Sequence, residues 1–230
     1  MQLEKEFKSE ELKRMKIIAN AMRLGAILVR NIIDFIIGFI CLMCAAPIMV
    51  IIGIMIKLED QGPILFIQKR AGKNGRPFNI YKFRTMHENH SETYQLQGFS
   101  QEWGKGVPDE FVFKNINEVN PYVTKVGRFL RRTSLDELPQ FFNVLKGDMS
   151  IVGPRPEIIE ITNYYTKEQK ERLKVKPGIT GWAQIHGRSE LNNGMKLEFD
   201  NYYVNNHSLL LDIYIILKTI KVVLTTKGAV

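Results

Sequence analysis

The chain has 230 residues, of which 45% are hydrophobic and 24% are charged, and its formal net charge is +8 at pH 7. This length fits one domain with an added segment or two small domains, and the hydrophobic content is that of a folded protein rather than a disordered one. The positive charge indicates an anionic partner, which could be nucleic acid, an anionic membrane surface or a phosphorylated substrate.

The first 30 residues alternate charged and apolar side chains at helical spacing. The apolar positions are Leu12, Met15, Ile18, Met22, Ala26 and Val29. This pattern predicts an amphipathic basic helix over residues 1–30. Such a helix could lie on an anionic membrane or pack on the rest of the protein, and the pattern alone leaves both open.

Residues 35–56 contain no charged side chain, and a helix of that length rises roughly 33 Å, enough to cross a hydrocarbon core. Pro47 lies in the middle of this run, where a proline removes a backbone hydrogen bond and kinks a helix. Basic residues lie on both sides of the run, whereas a simple span requires an asymmetry of positive charge. We therefore predict a re-entrant hairpin over residues 31–57, with Asp34 solvated near the headgroups and a true span as the alternative.

The two cysteines, Cys41 and Cys44, lie inside this apolar run at C-x-x-C spacing. No second ligand pair is nearby, so we interpret them as small hydrophobic side chains rather than as a metal or redox site. Because no disulfide framework can form elsewhere, the folded part is expected to face a reducing cytoplasm.

The rest of the chain is more polar. Residues 64–69 and 78–83 are rich in β-forming residues and flank the glycine-containing segment AGKNGRP, which predicts a β-hairpin. Residues 87–118 read as a loop-rich insertion with a short helix. Helical patterns dominate after residue 122, and residues 208–226 carry a broad apolar stripe that suits either membrane or core. The predicted fold is α+β and mainly helical, divided into residues 1–30, 31–57 and 58–230.

The densest chemical signal lies between residues 128 and 157. Ser134 and Glu137 match a capping box, and Pro139 is tolerated in the first turn if the helix begins near Asp136. Either start places Asp136 and Glu137 at a helix N-terminus, which favours anions and phosphate.

Basic residues surround these two carboxylates in the sequence. They are Arg128, Arg131, Arg132 and, between two prolines, Arg155. Arginine binds phosphate in a bidentate manner, and two adjacent carboxylates suit Mg²⁺ together with substrate phosphates. The residues alone leave two readings open: a phosphate-handling site, or a capped helix with solvated basic neighbours.

Several ordered blocks resemble the bacterial sugar transferase family, the small monotopic phosphoglycosyl transferases that act on polyprenol phosphate. The blocks are GPILF at 62–66, QKRAG at 68–72, YKFRTM at 81–86, RTSLDELPQ at 132–140, GDMSIVGPRP at 147–156 and KPGITGWAQ at 176–184, followed by Asp200, Tyr203 and SLLLD at 208–212. The resemblance covers residues 30–227. One departure is that Ala46 precedes Pro47, where a serine is common in that family.

The resemblance implies a membrane-bound enzyme that uses two steps. Asp136 would attack the β-phosphate of a UDP-sugar and release UMP, and a polyprenyl phosphate would then take the sugar phosphate from the aspartate. Glu137 would act as metal ligand or base, and Mg²⁺, with Mn²⁺ as an alternative, would bind Asp136 and Glu137. Lys82, Arg131 and Arg155 match positions near the phosphates, and Asp200 is a further phosphate- or nucleotide-binding candidate.

The implied setting is the inner membrane of a bacterium, with a catalytic domain at residues 58–230 on the cytoplasmic face. The implied partners are the UDP-sugar, the polyprenyl phosphate and membrane lipids. Nucleic acid is not expected, because base-stacking aromatics among basic residues and a recognisable binding module are both missing. A non-enzymatic membrane adaptor is the remaining alternative. The sugar, the glycan pathway and the oligomeric state stay open, with a homodimer as one option.

Overall fold

The computed structural model describes residues 2–87, 103–104, 106–112, 120–187 and 191–224. The helices are α1 (Gln2–Glu59), α2 (Lys125–Thr133), α3 (Gln140–Leu145), α4 (Ile159–Thr162), α5 (Trp182–His186), α6 (Asn193–Asn206) and α7 (Leu209–Leu224). The strands are β1 (Leu65–Ala71), β2 (Pro77–Phe83), β3 (Ser150–Val152) and β4 (Gly178–Thr180). The prediction of a mainly helical α+β fold with a small hairpin is confirmed. Most of the predicted insertion at 87–118 lies outside the described residues.

Strands β1 and β2 form the predicted antiparallel hairpin, with Leu65 opposite Phe83 and Ala71 opposite Pro77. Its connection contains a 3-10 turn in which Asn74 and Gly75 have φ angles of 57° and 75°. Asparagine and glycine are the residues that adopt this left-handed conformation at least cost, which explains why this segment turns.

A second, parallel pair joins β3 to β4, and the sequence did not predict it. Ser150 pairs with Gly178, and Val152 pairs with Thr180. A Cβ atom on Gly178 would lie 2.1 Å from the backbone nitrogen of Gly153, so two glycines are required for the backbones to approach this closely. The GPRP motif therefore begins directly after β3, beside the PGITG motif that contains β4. The main hydrophobic core lies beside it and includes Tyr203, Met149 and Ile215.

Helix α1 joins the two segments that were predicted separately at 1–30 and 31–57. The α-helix continues through Pro47, so the predicted break there is not confirmed. Within the described residues, only the part Leu24–Glu59 is long and apolar enough to cross a membrane, and the mean hydropathy of its most apolar stretch is 2.8. One face of it is buried against the domain at positions spaced mostly three, four or seven apart: Asp34, Gly38, Leu42, Ala45, Ile52 and Ile56.

The N-terminal end of this apolar part is bound to the domain through two charged side chains. Arg30 donates to the carbonyl of Val152 at 2.9 Å and forms an ion pair with Asp212 at 3.2 Å. Asp34 is buried and accepts hydrogen bonds from the hydroxyl of Ser150 at 2.7 Å and from the backbone N–H of Ile151 at 2.9 Å. The prediction that Asp34 is solvated near headgroups is therefore wrong, because protein donors replace the water.

The C-terminal end of α1 is bound to the same domain. The Glu59 carboxylate accepts the backbone N–H groups of Lys125 at 2.7 Å and Val126 at 2.9 Å, and so caps α2 from a position 66 residues away. Asp60 forms an ion pair with the buried Arg84 at 3.0 Å. Both ends of the apolar segment thus contact one folded unit.

Helix α7 also has two different faces. Asp212 and Ile215 are buried, and Asp212 accepts a hydrogen bond from Tyr203 at 2.6 Å. The opposite face exposes large apolar side chains: Leu209, Leu210, Ile213, Tyr214, Leu217 and Ile220. One face of α7 therefore packs in the core, as one of the two predicted alternatives requires. The opposite face is exposed and apolar, so it could contact membrane lipid.

Candidate active site

The acidic pair lies in a short turn between two helices. Helix α2 ends at Thr133, and the next residue, Ser134, has a left-handed φ of 58°. Its N–H donates to the carbonyls of Leu130 and Arg131. Asp136 and Glu137 follow in a 3-10 turn, and α3 begins only at Gln140. The capping-box prediction is wrong, because the Ser134 backbone closes the preceding helix and its side chain caps nothing.

Glu137 is held by two cationic side chains. Lys82 donates to Oε1 at 3.0 Å, and Arg155 donates to Oε1 at 2.5 Å and to Oε2 at 3.4 Å. Burial alone would raise the pKa of Glu137, but the charges and hydrogen bonds of Arg155 and Lys82 hold it well below its usual value. Glu137 is therefore a permanent anion that fixes both cations at the turn.

Asp136 stands beside this anion in a different electrostatic environment. Burial, and then the negative charge of Glu137, raise the pKa of Asp136, while Lys82, Arg155 and Arg131 oppose the rise. A carboxylate with a raised pKa is a stronger base, and so a better nucleophile, than an ordinary surface aspartate. The two neighbouring carboxylates thus have opposite shifts, which is typical of a site that gives them different tasks.

The cations reach the turn from three separate elements. Lys82 lies on β2, and α3 is hydrogen-bonded to this strand through the buried Asn143. The Asn143 side chain accepts the N–H of Tyr81 at 3.1 Å and donates to the carbonyl of Asn79 at 2.7 Å. Arg131 lies on the last turn of α2, where its Nε donates to the hydroxyl of Thr85 at 2.9 Å. Burial lowers the pKa of Lys82, and the charge of Glu137 partly restores it.

Arg155 lies on the loop after β3 and is fixed from behind. Its backbone carbonyl accepts a hydrogen bond from Arg172 at 3.0 Å, and Arg172 forms an ion pair with Asp200 at 2.6 Å. Arg172 also donates to the hydroxyl of Tyr165 at 2.8 Å and lies 3.8 Å from Glu157. A buried group of charges therefore supports the loop that presents Arg155 to Glu137.

The structure brings together five of the six residues selected from the sequence: Lys82, Arg131, Asp136, Glu137 and Arg155. The sixth, Asp200, is 1% exposed and its ion pair is with Arg172, behind the site. Burial raises the pKa of Asp200, and Arg172 opposes the rise.

Sequence reasoning missed Arg172 and Thr85. Arg172 stands in the charge-rich stretch KEQKERLK, and such a stretch ordinarily indicates a solvated surface. No signal in the residues separates Arg172 from its exposed neighbours.

The acidic pair offers oxygen ligands for a divalent cation. Within the described residues, no group of three or more His, Cys, Asp or Glu side chains could enclose a metal ion. Asp136 and Glu137 still fit Mg²⁺, which needs only one or two carboxylates when substrate phosphates and water complete its octahedron. Oε2 of Glu137 has only a long contact with Arg155, so it is the carboxylate oxygen of that residue best placed to become a ligand.

Comparisons with known proteins point to one family. Residues 25–226 match the family model described as bacterial sugar transferase. An uncharacterised sugar transferase of Bacillus subtilis is 38% identical over 87% of this chain and 90% of its own length. The undecaprenyl-phosphate galactose phosphotransferase of Salmonella typhimurium is 38% identical over 96% of this chain and 46% of its own.

A third relative bears the name of both of its substrates. The UDP-N-acetylgalactosamine-undecaprenyl-phosphate N-acetylgalactosaminephosphotransferase of Aeromonas hydrophila is 42% identical over 85% of this chain and 44% of its own. The chain therefore spans about half the length of several curated relatives that it matches, including those of Salmonella and Aeromonas.

Proposed function

The chain belongs to the bacterial sugar transferase family, and from that premise we propose that it transfers a sugar 1-phosphate from a UDP-sugar to a polyprenyl phosphate, releasing UMP. That membership confirms the resemblance drawn from the sequence blocks. The Salmonella and Aeromonas relatives are named for transfer to undecaprenyl phosphate, and the Aeromonas relative is named for a UDP-sugar donor. The product would begin a surface polysaccharide or another glycan.

The observation that carries this proposal is that the pKa values of Asp136 and Glu137 are shifted in opposite directions. Glu137 stays ionised with its charge balanced by Arg155 and Lys82, whereas the pKa of the Asp136 carboxylate is raised, which suits a nucleophile. Lys82, Arg131 and Arg155 surround the pair with positive charge, which suits the negative charge of a diphosphate and of its transition state.

In the first step, an oxygen of Asp136 bonds to the β-phosphorus of the donor. The bond from that phosphorus to the bridging oxygen breaks, and UMP leaves with the electron pair. In the second step, an oxygen of the polyprenyl phosphate bonds to the same phosphorus and the bond to Asp136 breaks, which regenerates the carboxylate. Both nucleophiles are oxyanions, so neither step requires a strong base.

A divalent cation, Mg²⁺ or Mn²⁺, would be held by Asp136 and Glu137 and would neutralise phosphate charge. Arg155 and Lys82 would pass from Glu137 to the phosphate oxygens of the donor as it binds, because arginine and lysine bind phosphate as readily as carboxylate. Before the donor binds, Glu137 therefore takes the place of the donor phosphate and keeps both cations in position.

The placement of α1 supports a membrane enzyme with its catalytic part on one face. Arg30 and Asp34 bind the domain near one end of the apolar segment, and Glu59 binds the same domain at the other end. A segment with both ends on one water-exposed domain begins and finishes on the same side of the bilayer. We place the domain at the cytoplasmic face of the inner membrane, with the exposed apolar sides of α1 and α7 in contact with lipid.

The direct test uses the purified protein in detergent with a panel of UDP-sugars, Mg²⁺ and undecaprenyl phosphate. We expect UMP release with one or a few donors and a lipid-linked diphosphate sugar as the second product. The proposal is rejected if no common UDP-sugar gives UMP above the level of a heat-inactivated sample.

A further inference from the structure

We propose that an apolar groove between α1 and the β-hairpin binds the hydrocarbon chain of the polyprenyl phosphate acceptor, an inference that rests on the proposed function. The α1–hairpin groove is lined by Val50, Gly53 and Ile54 of α1 and by Ile64, Leu65 and Phe83 at the open end of the hairpin. The groove is shallow and open on one side, and its volume is about 640 Å³.

The lining of the groove fits a hydrocarbon chain. Among the residues that line it, Lys57 alone carries a charge, and the Nζ of Lys57 donates to the Gln61 carbonyl at 2.9 Å. Val50 and Ile54 are 63% and 55% exposed, although both belong to the wall of a concave surface. Exposed apolar side chains arranged around a concavity mark a site for an apolar partner.

An apolar cluster connects the wall of the groove to the turn that carries the acidic pair. Phe83, which lines it, follows Lys82 in β2, and Lys82 contacts Glu137. Phe83 also packs in a cluster with Ile52, Ile56 and Leu130, and partly buried leucines pack against that same cluster. These leucines are Leu135 and Leu138, which flank Asp136 and Glu137 on either side. One apolar cluster therefore joins the wall of the groove to the turn that carries the acidic pair.

This connection between the groove and the acidic pair favours a polyprenyl phosphate over a bilayer phospholipid as the bound lipid. A bilayer phospholipid needs only an apolar surface, and α1 offers that on its other exposed sides. A polyprenyl phosphate must bring its phosphate to Asp136 while its chain remains in an apolar environment. The groove meets both needs, because its wall shares an apolar cluster with the two leucines that flank the acidic pair, while the rest of its lining follows α1.

Gly53 contributes no side chain to the groove that it lines. A Cβ atom at this position would meet only the side chain of Ile64, at 3.5 and 3.6 Å, which is ordinary van der Waals contact. A β-carbon is therefore accepted here without a backbone clash, and we expect a larger side chain at this position to extend into the groove.

The first test is photo-crosslinking in vesicles of phosphatidylethanolamine and phosphatidylglycerol that contain a small fraction of radiolabelled undecaprenyl phosphate. A photoreactive residue is placed at Val50, and the matched control carries it at Ile51, which is 58% exposed and does not line the groove. We expect several-fold more label at position 50, removed by unlabelled undecaprenyl phosphate and not by added phosphatidylglycerol. Equal labelling at the two positions, or equal competition by the two lipids, would overturn the inference.

The second test is kinetic. Val50→Trp and Gly53→Phe are expected to raise the KM for undecaprenyl phosphate roughly tenfold, and to raise it more than the KM for the UDP-sugar. Ile51→Trp should leave the KM for the lipid at the wild-type value. A rise of the same size in Ile51→Trp, or no rise in the groove variants, would contradict the inference. UMP release by the wild-type protein reports separately on the proposed function, and crosslinking does not depend on turnover.

Discussion

Arg172 and Asp200 form an ion pair of 2.6 Å with both side chains buried, and the same guanidinium donates to the backbone carbonyl of Arg155. Two charges removed from water are costly unless they are paired, so each depends on the other. Because the third partner is the backbone of a site residue, we expect this pair to position Arg155 rather than to bind substrate.

Arg172→Met should destabilise the fold by about 3–5 kcal/mol, because it leaves the carboxylate of Asp200 buried without its partner. The double variant Arg172→Met with Asp200→Leu should recover most of that stability and still turn over roughly tenfold to hundredfold more slowly, because Arg155 has lost its support. Thermal unfolding and kcat for UMP release measure the two effects. Arg128→Met, at an exposed position on α2, is the control. Full activity in the stable double variant would show that the pair is only structural.

Asp136→Asn should fold like the wild-type protein and lose turnover, because the amide cannot form the proposed acyl phosphate. Asp148→Asn is the matched control: Asp148 is a half-buried aspartate paired with the exposed Lys146 at 3.4 Å. Rapid quenching of the wild-type protein with UDP-sugar and without lipid should give a sugar-phosphate adduct on the peptide that contains Asp136. Substantial transfer by Asp136→Asn, or an adduct on another residue, would reject this aspartate as the nucleophile.

The pH dependence of the first step should follow the ionisation of Asp136. Its pKa is raised above the usual 3.8, and the reactive form is the anion, so the rate should fall as the pH drops through that raised pKa. Glu137→Gln removes a neighbouring negative charge and should move the acid limb to lower pH. Arg131→Gln removes a positive charge and should move it to higher pH. Infrared bands of the carboxylate give a second reading without turnover, and shifts in the same direction in both variants would contradict this electrostatic account.

How much of this site can be predicted from the sequence depends on how far apart in the chain the contacting residues lie. The hairpin was predictable because Asn74 and Gly75 determine their own backbone conformation. The residue types around the acidic pair left a phosphate site and a capped helix both open, and the selection of Lys82, Arg131 and Arg155 came from the family resemblance. The capping box that Ser134 and Glu137 match does not form, because the left-handed backbone angle of Ser134 closes the preceding helix, and the sequence fits both outcomes.

The contacts that the sequence could not predict join segments far apart in the chain. Glu59 caps a helix 66 residues away, and Arg172 reaches Asp200 across 28 residues. Neither contact leaves a local pattern, because a charged residue in a polar segment is ordinarily exposed. The burial of Asp34 was not predicted for the same reason, because its hydrogen-bond donors lie far along the chain in β3.

Gly178→Ala should destabilise the protein by about 3 kcal/mol, because the new Cβ would lie 2.1 Å from the backbone nitrogen of Gly153 and no side-chain rotation relieves that contact. The comparison is Gly25→Ala on α1, where a Cβ meets nothing within 4 Å and alanine should stabilise the helix by up to about 1 kcal/mol. Thermal unfolding distinguishes the two variants. Equal stability would show that β3 and β4 separate without cost, and the placement of Arg155 would then need another explanation.

The membrane placement predicts that both ends of the apolar segment face the cytoplasm. Cysteines are introduced one at a time near each end, at Asn31 and at Lys57, in a chain in which Cys41 and Cys44 are replaced by alanine. A membrane-impermeant thiol reagent should label neither position in intact spheroplasts, and it should label both after the inner membrane is opened. Labelling of one end alone in intact spheroplasts would establish a span. The contacts of Arg30 and Glu59 with one domain could not then exist in the membrane-bound protein, because the bilayer would separate them.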